Sequence, residues 1–218
     1  PQWVVKDTTQ ALGDLARLRR DRFTGQVIAV TGSSGKTSVK EMIAAILRES
    51  VNVHATKGNL NNHIGVPLTL LDMDDQCDLA VIEMGASAAG EISYLCSIAQ
   101  PDIALINNIQ RAHIAGFGNI ETIAEAKSEI YSGLNANGVA ILNLDESYSK
   151  DWLALIAERQ CLSFSVKDSR ADVFAKDIKE LGNGCYSFIL CVGETGETAA
   201  VDQLIELSNP GVHSVSNA

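Results

Sequence analysis

A short apolar run, a small-residue loop and a lysine, in that order, constrain the fold of this chain more than any other feature. Residues 27–30 read Val-Ile-Ala-Val, residues 31–35 read Thr-Gly-Ser-Ser-Gly, and Lys36 and Thr37 open a helical pattern. A buried strand that ends in such a loop at a helix N-terminus predicts a phosphate-binding site, because loop N–H groups and the helix dipole both attract an anion. Lys36 would supply a point charge, and the Thr37 hydroxyl could ligate Mg²⁺.

The match to the general phosphate-loop pattern G-x-x-x-x-G-K-[ST] is incomplete, because Val30 stands at the first glycine position. Thr31-Gly32 would carry the turn instead. The candidate nucleotide-binding residues of the loop and the helix start are Gly32, Ser33, Ser34, Gly35, Lys36, Thr37 and Ser38. An ordinary glycine-rich turn between a strand and a helix is the alternative.

Apolar strand-like runs alternate with helical patterns from residue 27 to residue 159, which predicts an α/β fold. The strands are predicted at 27–31, 51–55, 79–84, 103–107 and 139–143, and the helices at 37–49, 66–72, 90–99, 120–134 and 150–159. Continuous apolar strands separated by helices indicate a mostly parallel, doubly wound sheet covered on both faces. After residue 160, strand-like runs at 162–165, 173–175, 185–192 and 198–207 and glycine-rich turns at 182–184 and 193–196 predict a smaller antiparallel β extension near the C-terminus.

Charge and cysteine usage exclude several classes of protein. The formal net charge of −10 argues against non-specific nucleic-acid binding, which needs a basic face. No apolar run is long enough to cross a bilayer, so we expect no membrane insertion. The five cysteines are an odd number with no C-x-x-C pair, which predicts reduced thiols in a cytoplasmic protein.

Two strands besides the first end in side chains that could bind a metal. Glu83 closes the strand at 79–84, where a carboxylate beside a phosphate loop is a usual Mg²⁺ ligand; a solvated strand-end acid is the alternative. His113 follows the next strand and could ligate or orient a second metal or a phosphate. A lone histidine is more often structural.

The segment 56–67 follows the second strand and is rich in hydrogen-bond donors. It holds Asn59, Asn62 and a lysine among small residues, which suits an anionic or sugar-like ligand. The alternative is a turn-rich loop that caps the helix at 66–72. We favour substrate contact.

Lys127 lies on the apolar stripe of the helix at 120–134. Its spacing from Ile120, Ile123 and Leu134 is helical, so the side chain should point inward. A lysine there either snorkels from the edge of the stripe or has a lowered pKa. In the second case the free amine can react with CO₂ to form a carbamate, a hard oxygen ligand for Mg²⁺.

Several ordered motifs together resemble the central ATPase domain of the Mur ligases. They are the loop 31–37, Gly58-Asn59-Leu60-Asn61-Asn62, Glu83-Met84-Gly85-Ala86, Asn107-Asn108 with His113, and Ala126-Lys127-Ser128-Glu129. Threonine-glycine in place of the first glycine of the loop is characteristic of that family. The resemblance runs from about residue 2 to the end, and the segments 58–67 and 112–118 are most similar to the members that use D-Ala-D-Ala.

The resemblance implies ATP and Mg²⁺ as cofactors and assigns roles to the candidate residues. The implied roles are phosphate binding for Gly32 to Ser38, a first Mg²⁺ on Thr37 and Glu83, a second on His113 and a carbamylated Lys127, adenine contact for Asn217, and substrate contact for Asn59 and Asn62. Lys36, Lys127 and His113 would be the catalytic residues. Ser214 departs from the family, which commonly has asparagine after the preceding histidine.

The implied activity is an ATP-dependent amide-bond ligase that adds D-Ala-D-Ala to UDP-N-acetylmuramoyl-tripeptide through an acyl phosphate, in peptidoglycan precursor synthesis. The chain begins at Pro1 and stops at Ala218, and both ends look cut. We therefore expect residues 1–24 to be a linker from a missing N-terminal UDP-binding domain, and residues 25–218 to be the central ATP-binding domain, with the C-terminal domain missing. We expect a monomer, and the isolated chain to be inactive.

Two alternatives remain. A folylpolyglutamate synthase-like ligase would share the loop and the lysine but act on a pteridine substrate. A non-catalytic nucleotide-binding module would bind ATP without needing Lys127 or Glu83.

Overall fold

The computed structural model describes residues 2–111, 117–193 and 200–218 and confirms the α/β fold. The helices are α1 (Thr8–Arg22), α2 (Lys36–Arg48), α3 (Gly65–Leu71), α4 (Glu91–Ala99), α5 (Ile120–Ser132), α6 (Ser149–Ile156) and α7 (His213–Asn217). The strands are β1 (Gln26–Thr31), β2 (Val53–Ala55), β3 (Leu79–Glu83), β4 (Ile103–Ile106), β5 (Val139–Asn143), β6 (Gln160–Ser165), β7 (Val173–Gly182), β8 (Cys185–Val192) and β9 (Val201–Glu206).

All of these strands belong to one sheet. Its order is β2-β3-β1-β4-β5-β6-β7-β8-β9, and neighbours from β2 to β7 are parallel. Strand β1 therefore lies between β3 and β4, and the carboxyl ends of these three strands meet at one edge of the sheet. Ligands of open α/β sheets bind beyond that edge.

The direction of the strand predicted at 162–165, which the structure shows as β6, differs from the prediction. We expected every strand after residue 160 to be antiparallel, but β6 is parallel to β5, and β7 pairs in parallel with the end of β6. Helix α6, between β5 and β6, accounts for the parallel direction of β6, because a helical crossover returns the chain in the same direction. Among the described strands, β8 is antiparallel to both β7 and β9, and the turn at 182–184 lies between β7 and β8 as predicted. The second glycine-rich turn falls largely outside the described residues.

The core lies on both faces of the sheet, as the continuous apolar strands predict. In β1, Val27 and Ala29 face the helices α1, α3, α4, α5 and α6, whereas Ile28 and Val30 face α2. Successive side chains of a strand point to opposite faces, so a strand covered on both sides must be apolar throughout. Burial of β1 fixes the position of the loop that follows it.

Helix α1 packs on the domain and is held there by buried hydrogen bonds. Asp7 caps its first turn by accepting hydrogen bonds from the N–H groups of Thr9 and Gln10. Near its end, the buried Arg20 donates to the Ala99 carbonyl at 2.7 Å and to Asp102 Oδ2 at 2.9 Å. The role of residues 1–24 as a linker to another domain stays a prediction.

In the described ranges, no helix combines the length and the hydropathy needed to cross a membrane. The five cysteines are free thiols.

Candidate functional site

The loop after β1 depends on glycine at two positions. Gly32 has φ +153°, and a Cβ there would lie 3.1 Å from the Cβ of Asn107. Gly35 has φ +73° as the first cap of α2, and its Cβ would lie 2.9 Å from the Asn107 amide nitrogen and 3.0 Å from the Asn217 amide. Residues with a side chain rarely adopt such positive φ values, so the tight turn requires glycine at both positions.

The end of β4 holds the middle of the loop. The N–H of Ser33 donates to the Asn108 carbonyl at 2.9 Å, and the N–H of Ser34 donates to Asn108 Oδ1 at 3.0 Å. The first turn of α2, at Lys36 to Ser38, carries N–H groups with no partner inside the helix, and Gly35 offers no side-chain cap. We therefore expect the donors for a phosphate to come from the start of α2, with Ser33 and Ser34 shaping the loop.

Lys36 lies over this loop. Its Nζ donates to the carbonyl of Gly32 at 3.0 Å. Burial lowers the pKa of Lys36, and the negative charge of Glu83 acts in the opposite direction. The ammonium group is thus close to the turn in which a phosphate would sit.

Glu83 and Thr37 bring two side-chain oxygen atoms together beside Lys36. The Thr37 hydroxyl donates to Glu83 Oε2 at 2.8 Å, and the carboxylate is 2% exposed. Buried carboxylate and hydroxyl oxygens beside a phosphate loop fit Mg²⁺, which prefers hard oxygen ligands and completes its shell with phosphate and water. Within the residues described, no three His, Cys, Asp or Glu side chains converge.

Asn61 is a residue of this site that the sequence analysis did not single out. Its Nδ2 donates to Glu83 Oε1 at 2.7 Å, and its carbonyl accepts from the N–H of Gly85 at 2.7 Å. The neighbouring positions of β2 and β3 bring the two segments together, and a single sequence does not reveal that pairing.

The two asparagines predicted to contact substrate have different surroundings. Asn62 Oδ1 accepts from the N–H groups of Ile64 and Gly65, so it caps α3 as the alternative interpretation expected. Asn62 also lines the first cleft described below. Asn59 is exposed, and its carbonyl accepts from the N–H of Asn61 at 2.8 Å.

Lys127 points into the protein as its helical spacing predicted. It is 2% exposed, which excludes snorkelling from the edge of the stripe. Burial, and next the charge of Lys36, lower the pKa of Lys127 to about 8, while Glu91 acts in the opposite direction. His113 lies outside the described residues.

Two clefts open on either side of the phosphate loop. The first has a volume of about 750 Å³ and is lined by Lys36, by Asn61 to His63 and by the segment from Gly85 to Leu95. The second has a volume of about 980 Å³ and is lined on one side by Ser34, Gly35 and Ser38 and on the other by residues including Asn143, Lys167 and Asn217. The phosphate loop therefore separates the two clefts, with Lys36 facing the first and its neighbour Gly35 facing the second.

Asn217 connects the last helix to this site. Its Oδ1 accepts from the Asn107 amide at 3.0 Å, and the same amide donates to the Ser34 carbonyl at 2.9 Å. Asn217 thus lies beside the loop in the second cleft, far in sequence from the strand that precedes the loop.

A glycine-rich loop between β1, an inner strand of a mostly parallel sheet, and the start of α2 defines this chain as a P-loop α/β domain. Comparison with known proteins narrows the class. Residues 30–218 match the family described as the Mur ligase middle domain. The chain belongs to the Mur ligase family.

Individual relatives agree with this assignment. The chain is 45% identical over its whole length to the UDP-N-acetylmuramoyl-tripeptide–D-alanyl-D-alanine ligase of Escherichia coli (strain K12), and it covers 47% of that protein. Among solved structures, MurF from Acinetobacter baumannii matches 99% of this chain and 46% of its own, with a TM-score of 0.90 and 39% identity. The MurF ligase of Thermotoga maritima in complex with ADP matches 99% of this chain and 48% of its own, with a TM-score of 0.82 and 30% identity.

Proposed function

We propose that this chain is the ATP-binding middle part of a ligase that joins D-Ala-D-Ala to UDP-N-acetylmuramoyl-tripeptide during synthesis of peptidoglycan precursors. The chain spans about half the length of the ligases it matches, so the remainder of such an enzyme would lie in other domains. Residues 1–24 would lead in from a UDP-binding domain, residues 25–218 would bind ATP, and a further domain would follow. The contact between Thr37 and the buried Glu83, next to Lys36 at the first cleft, supports this proposal most strongly.

The second cleft would bind the nucleotide. Gly32 to Ser38 would hold its phosphates, and Asn217 would contact the adenine from the opposite side. The ADP in the T. maritima relative supports a nucleotide in this family. A phosphate chain that follows the loop would present its last phosphorus towards the first cleft, where Lys36 lies.

Thr37 and Glu83 would hold a first Mg²⁺, and His113 with a carbamylated Lys127 a second. Bound Mg²⁺ offsets the repulsion between two anions that must meet. At the Lys127 amine, the carbamate forms when the neutral nitrogen bonds to CO₂ and releases one proton. A pKa of about 8 leaves roughly a tenth of the amine neutral at pH 7, enough for this reaction.

The first cleft would receive the terminal carboxylate of the tripeptide, with Asn59 and Asn62 facing the muramoyl peptide. One carboxylate oxygen would bond to the γ-phosphorus as ADP leaves, giving an acyl phosphate. The amine of D-Ala-D-Ala would then bond to the acyl carbon as phosphate leaves, and a proton is released from the amine. Lys36 would neutralise charge on the transferred phosphoryl group, which is the main requirement of phosphoryl transfer.

We also propose that the enzyme acts as a cytoplasmic monomer without a nucleic-acid partner. The net charge of −10 and the free thiols are consistent with that environment.

Phosphate release by the full-length protein tests the proposed activity. We expect release from Mg-ATP only when UDP-N-acetylmuramoyl-tripeptide and D-Ala-D-Ala are both present. Lys36→Met should abolish release, whereas Lys150→Met, which removes an exposed lysine from α6, should leave it unchanged. Release with a pteridine acceptor and glutamate, or binding of ATP without acceptor-dependent release, would contradict the proposal.

A further inference from the structure

Lys40 is a buried cation that the proposed chemistry does not use. It lies in α2 four residues after Lys36, so the two lysines share one face of the helix. Lys40 is nevertheless 0% exposed. A fully buried ammonium group loses its hydration and is retained in a fold only when hydrogen bonds compensate.

The hydrogen bonds of Lys40 connect helix α2 to the segment after β2. Its Nζ donates to the Thr56 carbonyl at 2.6 Å and contacts the carboxylate of Glu41, whose side chain is 57% exposed. The hydrogen bond to Thr56 is buried, whereas the contact with Glu41 is partly exposed. The Thr56 bond joins α2 to the segment that follows the edge strand β2.

Thr56 in turn fixes the backbone of the metal ligand. Its Oγ1 accepts from the N–H of Glu83 at 2.9 Å, and its own N–H donates to the Val81 carbonyl at 3.0 Å. Thr56 is 1% exposed, so neither bond competes with solvent. Two successive peptide groups on the N-terminal side of Glu83 are thereby held by a residue that Lys40 anchors.

The same segment reaches the Glu83 side chain. It continues to Asn61, whose amide donates to Glu83 Oε1 and whose carbonyl accepts from Gly85. A shift of Thr56 would therefore move the backbone of Glu83 and the amide that orients its carboxylate together.

We infer that Lys40 is a positioning residue for Mg²⁺ binding: by anchoring Thr56 it holds Glu83 in register with Thr37 across the phosphate loop. This inference rests on the proposed nucleotide and Mg²⁺ site. A hydrophobic residue at position 40 would preserve the packing of α2 but would release Thr56 and, through it, Glu83. The substitution should therefore raise the Mg²⁺ concentration needed to enhance nucleotide binding, and it should leave nucleotide affinity without Mg²⁺ nearly unchanged.

The test measures ADP binding to the 218-residue chain by calorimetry while Mg²⁺ is varied. For Lys40→Met we expect the Mg²⁺ concentration for half-maximal enhancement of ADP binding to rise about tenfold, the usual consequence of losing one hydrogen bond to a charged group. ADP affinity measured in EDTA should change less than about twofold, since the loop remains. Lys176→Met, which removes an exposed lysine paired with Asp202, is the matched control and should change neither value.

A second pair of variants covers the case in which Lys40→Met fails to fold. Thr56→Val removes the hydroxyl that accepts from Glu83 while keeping the shape and the carbonyl, and it should raise the Mg²⁺ requirement as well. Thr56→Ser keeps the hydroxyl and should restore the wild-type requirement. Circular dichroism melting confirms that each variant is folded under assay conditions.

The outcomes separate this inference from the proposed function. A folded Lys40→Met or Thr56→Val chain with the wild-type Mg²⁺ requirement would overturn the inference alone. An equal loss of ADP affinity in EDTA and in Mg²⁺ would also overturn it, because Lys40 would then act through the loop rather than through Glu83. A wild-type chain whose ADP binding ignores Mg²⁺ would overturn the proposed metal site and the inference together.

Discussion

Replacement of Lys127 by methionine should change how the stability of this chain depends on pH. Lys127 is 2% exposed, and its pKa is lowered from 10.5 to about 8, first by burial and then by Lys36. A lowering of this size corresponds to about 3 kcal/mol of preference for the neutral amine in the folded chain. Methionine has similar length and no charge to desolvate, so the variant avoids this cost.

The direction of this pH dependence follows from the number of protons that Lys127 binds in the folded and in the unfolded chain. Between pH 8 and pH 10.5 the Lys127 side chain binds more protons in the unfolded chain than in the folded chain, so wild-type stability rises with pH in that window. Below about pH 7 Lys127 is protonated in both the folded and the unfolded chain, so the folded chain is destabilised by the full free energy of burying the charged amine. The advantage of Lys127→Met over wild type should therefore be greatest at pH 7 and smaller by about 2 kcal/mol at pH 9.5.

The assay is urea unfolding of the 218-residue chain at the two pH values, in CO₂-free buffer with EDTA, so that neither a carbamate nor a metal forms. Lys150→Met, which alters an exposed lysine of α6, is the control, and its difference from wild type should be the same at both pH values. A stability difference for Lys127→Met that does not change with pH, or that grows as pH rises, would refute the assignment of a lowered pKa to a buried amine.

Three further perturbations follow from the geometry. Gly35→Ala should abolish ADP binding measured by calorimetry, because its Cβ would enter the Asn107 and Asn217 amides at a positive φ; Gly182→Ala, also at positive φ but in open space, should bind normally. Thr37→Val should remove the Mg²⁺ enhancement of ADP binding that Thr37→Ser retains, since only the hydroxyl can contact the metal; equal binding by the two variants would count against the site. Arg20→Met should lower the free energy of unfolding by about 1.5–3 kcal/mol, because it removes the hydrogen bonds of a buried guanidinium to the Ala99 carbonyl and Asp102, whereas loss of the exposed Lys176–Asp202 pair should have a much smaller effect.

Local patterns predicted much of this fold. The continuous apolar run of β1, the loop and the start of α2 lie together in the sequence, so their arrangement follows from neighbouring residues alone. The inward direction of Lys127 likewise follows from helical spacing, which places it on the buried face. The parallel direction of β6 was missed although the helix predicted at 150–159 supplies the crossover, because the short strands and glycine-rich turns after residue 160 were all interpreted as hairpins.

Contacts between distant segments explain what the sequence analysis missed at the site. Asn61 lies next to Asn62 in the chain, but only the pairing of β2 with β3 shows that Asn61 meets Glu83 while Asn62 caps α3. A charged residue in a helix is usually exposed, so the sequence analysis did not predict that Lys40 is buried. Only the structure shows its hydrogen bond to the Thr56 carbonyl. Lys40 and Thr56 are 16 residues apart in the sequence, and Asn61 and Glu83 are 22 residues apart.

The path of oxygen atoms in the reaction tests the central claim most directly. If the tripeptide carboxylate of UDP-N-acetylmuramoyl-tripeptide is labelled with ¹⁸O and the full-length protein is given Mg-ATP and D-Ala-D-Ala, one labelled oxygen should appear in the phosphate released with each ligated product. This follows because the carboxylate oxygen that bonds to phosphorus leaves with it when the amine attacks. Mass spectrometry of the phosphate detects the label. Unlabelled phosphate released alongside ligated product, or phosphate released without any ligation, would contradict the acyl-phosphate mechanism and the function proposed for this chain.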